Sequence, residues 1–241
     1  MKRFSTALTV LVMLVVAACN NAPEKTADTT TAATTDTAKT TPPPADVKPA
    51  FKPFDVVEIN HTVKDYAKWK PAFDADSTAR IASGLGFIVI GKNDAKPNNL
   101  VIAFTITDIQ KTKDFAASPR LKDVMQKNGV ISKPVISYYH VIRNNPDAKG
   151  KQWVLVTHKV KDFDAWLKVF DAEGAATRAS FGLTDVALAR GIDDPNLVHI
   201  VFDITDMAKA KARMSDPALK KLMGDAGVIS APTIEYYTTA D

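Results

Sequence analysis

The 241-residue chain has a single cysteine, Cys19. One thiol excludes an intrachain disulfide framework and a cysteine-rich metal site. Charge of one sign is also lacking: 31 Lys and Arg stand against 27 Asp and Glu, a formal net charge of +4. Without a dense basic run, nucleic acid is not an expected partner. The four histidines show no His-x-x-x-His or His-x-x-Glu spacing, so no metal site is expected. No P-loop, Gly-rich phosphate loop or Gly-x-Ser-x-Gly elbow occurs. Long apolar runs are missing too. Ala7 to Ala18, interrupted only by Thr9, is too short for a bilayer core of about 30 Å.

What is present divides the chain in two. Lys2 and Arg3 form a positive n-region, and Ala7 to Ala18 reads as the h-region of a signal peptide. Its end, Val16-Ala17-Ala18-Cys19, resembles a bacterial lipobox. The resemblance implies cleavage before Cys19, lipidation of its thiol and acylation of its new amino group. Loss of Lys2 and Arg3 would leave a charge of +2. Each buried acyl CH₂ is worth about 0.8 kcal/mol, so several chains hold a protein on a membrane. Asn20, where Asp resembles an inner-membrane retention signal, points to the outer membrane. The expected address is therefore the bacterial cell envelope.

From Cys19 to residue 50 the chain is mostly Thr, Ala, Pro, Asp and Lys, with no aromatic between Phe4 and Phe51. Such a segment buries too little apolar surface to offset its ordering entropy. It is expected to be a disordered tether, spanning about 30 Å if flexible, with a stiffer Pro42-Pro43-Pro44 stretch.

Beyond it lies an internal repeat, residues 51–145 and 150–241. His61-Thr62-Val63-Lys64-Asp65 pairs with His158-Lys159-Val160-Lys161-Asp162, Trp69 with Trp166 and Phe73 with Phe170, all 97 residues apart. From Arg80, which pairs with Arg178, the offset is 98. Gly129-Val130-Ile131-Ser132 pairs with Gly227-Val228-Ile229-Ser230, and Tyr138-Tyr139 with Tyr236-Tyr237. A period this long marks duplication of a structural unit.

Each unit has its own pattern. Val57, Ile59, His61 and Val63 alternate with polar residues, as in a strand. Asp65 stands where an N-cap belongs, and Tyr66, Trp69 and Phe73 share one helical face. Pro71 should kink or restart this helix, leaving its counterpart, with Lys168 at that place, straighter. Gly84 ends the helix. Two strands follow, from Phe87 to Gly91 and from Leu100 to Ile106. Asp108 and the Ser118-Pro119 and Asp216-Pro217 pairs cap further helices, and Gly129 and Gly227 terminate them. Pro134 to Ile142 is the last strand. The order βαββαβ is ferredoxin-like. One unit leaves a sheet face bare, and an apolar bare face must find a partner. The expected fold is α+β: two tandem units packed sheet to sheet.

The Val-x-Asp-(Tyr/Phe)-x-x-Trp motifs at 63–69 and 160–166, Asp193-Asp194-Pro195-Asn196 and the Gly-Val helix endings resemble the dimeric α+β barrel superfamily, which includes antibiotic-biosynthesis-monooxygenase-like proteins. The resemblance implies a pseudo-dimeric barrel in one chain, with any pocket between the sheet and helices of each unit. Members include cofactor-independent oxygenases, haem-degrading enzymes, isomerases and simple binders, so fold alone does not give function.

Candidate pocket residues are His61, Trp69, Arg80 and Tyr138, with His158, Trp166, Arg178 and Tyr236 in the second unit. A neutral imidazole at a strand end can serve as a base or orient a ligand. The plainer role is a partly buried histidine bonded to backbone. The tryptophans at helical spacing fit a core, and the arginines a helix C-terminus. No nucleophile or carboxylate recurs beside the histidines, and whether the chain is an enzyme is left open. Either histidine is nominally a haem ligand, but nothing else supports one; no cofactor is expected. The first expectation is a lipid-anchored protein binding a small apolar molecule or an envelope protein. The alternatives are a cofactor-independent monooxygenase or isomerase, and a structural surface module.

Overall fold

The computed structural model describes residues 51–240. The signal peptide, Cys19 and the tether lie outside these residues. The first unit comprises β1 (Phe54–Thr62), α1 (Tyr66–Ala75), α2 (Ser77–Ala82), β2 (Leu85–Asn93), β3 (Asn99–Ile106), α3 (Ile109–Ala117), α4 (Pro119–Lys127) and β4 (Val135–Asn144). The second repeats this order: β5 (Gln152–Lys159), α5 (Phe163–Glu173), α6 (Ala175–Ser180), β6 (Leu183–Gly191), β7 (Leu197–Ile204), α7 (Met207–Met214), α8 (Pro217–Asp225) and β8 (Thr233–Thr239).

The expected caps form. Asp65, Asp108, Asp162 and Asp206 each accept a hydrogen bond from the amide three residues on, satisfying donors that a helix start leaves free. Gly129 and Gly227 end their helices at φ 84° and 89°, where a side chain would be strained. The reading of Pro71 needs correction. It sits inside α1, and the break falls at Asp76 instead. The second unit is broken as well, at Gly174 with φ 80°. The second unit's additional residue lies within α5, which has 11 residues against 10 in α1, and neither helix is continuous.

All eight strands form one closed antiparallel barrel in the order β1-β3-β2-β8-β5-β7-β6-β4. Each unit contributes four adjacent strands. Two seams join them. One, between β4 and β6, pairs five residues of each strand from Tyr139↔Gly191 to Asn144↔Ala187. The other, between β2 and β8, pairs only Gly91 to Asn93 with Tyr237 to Thr239. Closure leaves no strand with a free edge.

Alternation along each strand then defines two kinds of core. Val57, Leu100, Ile102 and Phe104 pack beneath the first helices with Trp69, and Val154, Val198, Ile200 and Phe202 beneath the second with Trp166. The opposite faces point into the barrel. There Val56, Tyr139, Val141 and Ala189 form one cluster, and Val101, Trp153, Leu155 and Tyr237 another. Gly91 allows this packing: a Cβ there would lie 2.3 Å from the Trp153 ring.

Candidate functional site

The sequence-derived candidates separate into two equivalent chambers between sheet and helices. His61, Trp69 and Arg80 line one of about 70 Å³. His158, Trp166 and Arg178 line its counterpart of about 80 Å³. Tyr138 and Tyr236 are on the helix side of the sheet but do not line these chambers.

His61 and His158 end β1 and β5 with the aliphatic face turned toward the helices. Each meets its tryptophan edge-on, at 5.6 and 5.5 Å between centroids. Neither bonds to backbone, contrary to the plainer expectation. Both nitrogens of both rings are buried without a hydrogen-bond partner among the described residues. Burial disfavours the charged imidazolium and lowers each pKa to about 4.

The arginines have diverged. Arg178 is buried and donates to both carboxylate oxygens of Asp185, at 2.8 and 2.6 Å, and to the Phe170 carbonyl at 2.8 Å. Arg80 stacks on Phe73, 3.8 Å from its centroid, and donates to the Phe73 carbonyl. Phe87 occupies the position matching Asp185, and among the described residues no carboxylate lies within ion-pair distance of Arg80. Accordingly its pKa is lowered, chiefly by burial, with Asp76 and Asp74 opposing.

A larger space lies inside the barrel. It measures about 430 Å³ and reaches the end where β1 begins and β4 ends, where Phe54, Asn144, Ala148 and Gly150 line it. This volume falls in the usual range of small-molecule sites, about 300–1,000 Å³. Val89, Val101, Leu155 and Val201 make much of the wall, and Glu58, His199 and Asp203 bring polar groups to it. A second recess of about 480 Å³, lined by Asn60, Asn93, Lys96 and Glu235, is polar and bordered by the exposed turn after β2.

Inside the barrel the polar groups are connected. Glu58 Oε1 lies 3.0 Å from His199 Nε2, and Thr157 Oγ1 lies 2.9 Å from His199 Nδ1. The Tyr139 ring stacks on the imidazole at 4.2 Å. Burial, followed by the charge of Glu58, raises the Tyr139 hydroxyl pKa to about 12, so it remains protonated. Trp153 stacks on Tyr237 at 4.9 Å and donates from Nε1 to Thr239 at 3.0 Å. Asp203 accepts the Gly150 amide at 2.7 Å.

Glu58, His199 and Asp203 escape a search for repeats because they are not repeated. Leu155 corresponds to Glu58, Val101 to His199 and Thr105 to Asp203. The signal was instead a mismatch between otherwise matching strands.

An eight-stranded barrel made from two βαββαβ units, with helices outside, is the dimeric α+β barrel fold, here built within a single chain. Solved structures share it. An anthrone oxidase-like protein superposes with a TM-score of 0.53 at 12% identity, over 78% of this chain and 92% of that one. A candidate monooxygenase from Fusobacterium nucleatum subsp. nucleatum gives 0.52 at 10% identity, over 78% and 93%. No family model matches the chain, and no curated protein does.

Proposed function

We propose that this chain is a lipid-anchored envelope protein that holds a small, largely apolar molecule inside its barrel. The observation that carries this reading is the cavity of about 430 Å³, aliphatic over much of its wall, with a few polar groups placed together. That combination is characteristic of ligand sites. The paired chambers beneath the helices are smaller, at about 70 and 80 Å³. The lipid anchor rests on Cys19 and the preceding apolar segment.

Native mass spectrometry of the purified chain from Asn20 onward tests the cavity. A co-purifying small molecule, absent from an Ala103→Phe variant that fills the space, is the expected result. Equal occupancy of both proteins removes the cavity as the site. For the anchor, Cys19→Ser should move the protein from membranes to the soluble fraction; persistent membrane association contradicts lipidation at this residue.

A second reading is a cofactor-independent monooxygenase or isomerase. It is favoured by the Glu58–His199 pair, a carboxylate and an imidazole that line an apolar space, with Thr157 on the far ring nitrogen; such a pair can relay a proton. In that case Glu58→Gln abolishes turnover while stability in urea stays within about 1 kcal/mol of the parent. Retained turnover would falsify it.

A further inference from the structure

The charge inventory of the barrel cavity points to a ligand class. We propose that the cavity selects an apolar molecule carrying a protonated amine; this rests on the barrel interior being the binding site, as proposed above. Two carboxylates, Glu58 and Asp203, line the space, and among the described residues its lining includes no lysine or arginine. The one basic group is His199, already placed between Glu58 and Thr157. Even where His199 is set against Glu58, Asp203 remains, and among the described residues the Gly150 amide is its one hydrogen-bond donor. Carboxylates therefore outnumber basic groups in the described lining.

A buried charge needs a partner of opposite sign. An anionic ligand would add a third negative group to walls that have no cation to meet it. A neutral ligand leaves the existing charge uncompensated. An ammonium group relieves it, and the rings of Phe54 and Trp153 in the same wall favour a cation further. The charged groups are not duplicated: their repeat counterparts, Leu155, Thr105 and Val101, line the same cavity and carry no charge. Asp203 is also closely fitted: a Cβ on Gly150 would fall 2.6 Å from its carboxyl carbon. Only glycine lets the loop backbone approach and donate.

The test compares three ligands with one cage and three charges: 1-adamantanamine, 1-adamantanol and adamantane-1-carboxylate. Each is titrated at pH 7 by calorimetry into the chain from Asn20 onward, which keeps every described residue. The amine is expected to bind about tenfold or more tightly than the alcohol, and the carboxylate most weakly. Glu58→Gln and Asp203→Asn should each erode the preference for amine while leaving alcohol affinity within about threefold, which also shows that the variants fold. Equal binding of all three, abolished by Ala103→Phe, overturns the charge selection and leaves the barrel as the site. A preference for amine that survives both carboxamide variants overturns it as well. Binding of none of the three overturns both.

Discussion

Glu58 and His199, 141 residues apart in the chain, meet at 3.0 Å inside the barrel. They come from different units and have no equivalents related by the duplication. A buried polar pair is a costly feature for a core that aliphatics could fill. Removing one partner, as in Glu58→Ala, leaves the imidazole with an unmet nitrogen and should cost about 1–3 kcal/mol. The double substitution Glu58→Leu, His199→Val copies the other unit and should be within about 1 kcal/mol of the parent, or more stable. Urea denaturation of the three proteins decides this. A double variant as unstable as the single one would mean that the pair holds the barrel together.

The two orphan histidines make stability depend on acidity. Their folded pKa of about 4 lies below the ordinary 6.5. Between those values the unfolded chain binds protons that the folded chain does not, so stability falls as pH falls from about 6.5 toward 4. Each histidine should account for about 2 kcal/mol between pH 7 and pH 5. Denaturation at the two pH values, for the parent and for His61→Leu, His158→Leu, measures it. An unchanged dependence in the double variant rules the histidines out as its source.

The diverged arginines should behave differently. Arg178→Met strands Asp185 and one contact of the partly buried Glu173, at a cost of about 2–4 kcal/mol. Arg80→Met loses a stacking contact and one bond to a carbonyl, about 1 kcal/mol. Thermal or chemical melts compare them directly; equal losses would show that the carboxylates of the second unit add nothing.

Barrel closure predicts the fate of half a molecule. Residues 51–145 alone would expose the β2 and β4 edges that the second unit covers. Two copies can pair β2 with β4 twice over and rebuild the ring. Sedimentation equilibrium should therefore find a homodimer. A soluble, folded monomer would show that the seams are dispensable.

Much of the architecture was legible because a duplicated pattern appears twice. His61-to-Asp65 and His158-to-Asp162, the capping aspartates and the paired tyrosines locate the same elements independently in each half. A break is expected near Pro71 rather than at Asp76, where it falls, because proline is a stronger local signal than a turn between two short helices. The break at Gly174 is not expected because Lys168 stands at the place matching Pro71. The barrel interior was hardest to read. Glu58 alternates with Val57 and Ile59, and polar alternation ordinarily means a face in water. Only closure of the ring turns that face inward. His199 looks incidental beside its counterpart Val101, although that mismatch is its one local sign. Which nitrogen meets which oxygen depends on tertiary pairing across 141 residues, beyond what local periodicity records.

Joining the halves in one polypeptide also lifts a constraint. In a ring assembled from two identical chains, any inward glutamate arrives with a twin, and so does any group evolved to answer it. Here Leu155 stands where that twin would be. The interior can thus be greasy on one side and ionic on the other, giving an occupant a head and a tail to match. One guest per molecule, held in a single orientation, is open to this chain in a way that strict twofold symmetry forbids.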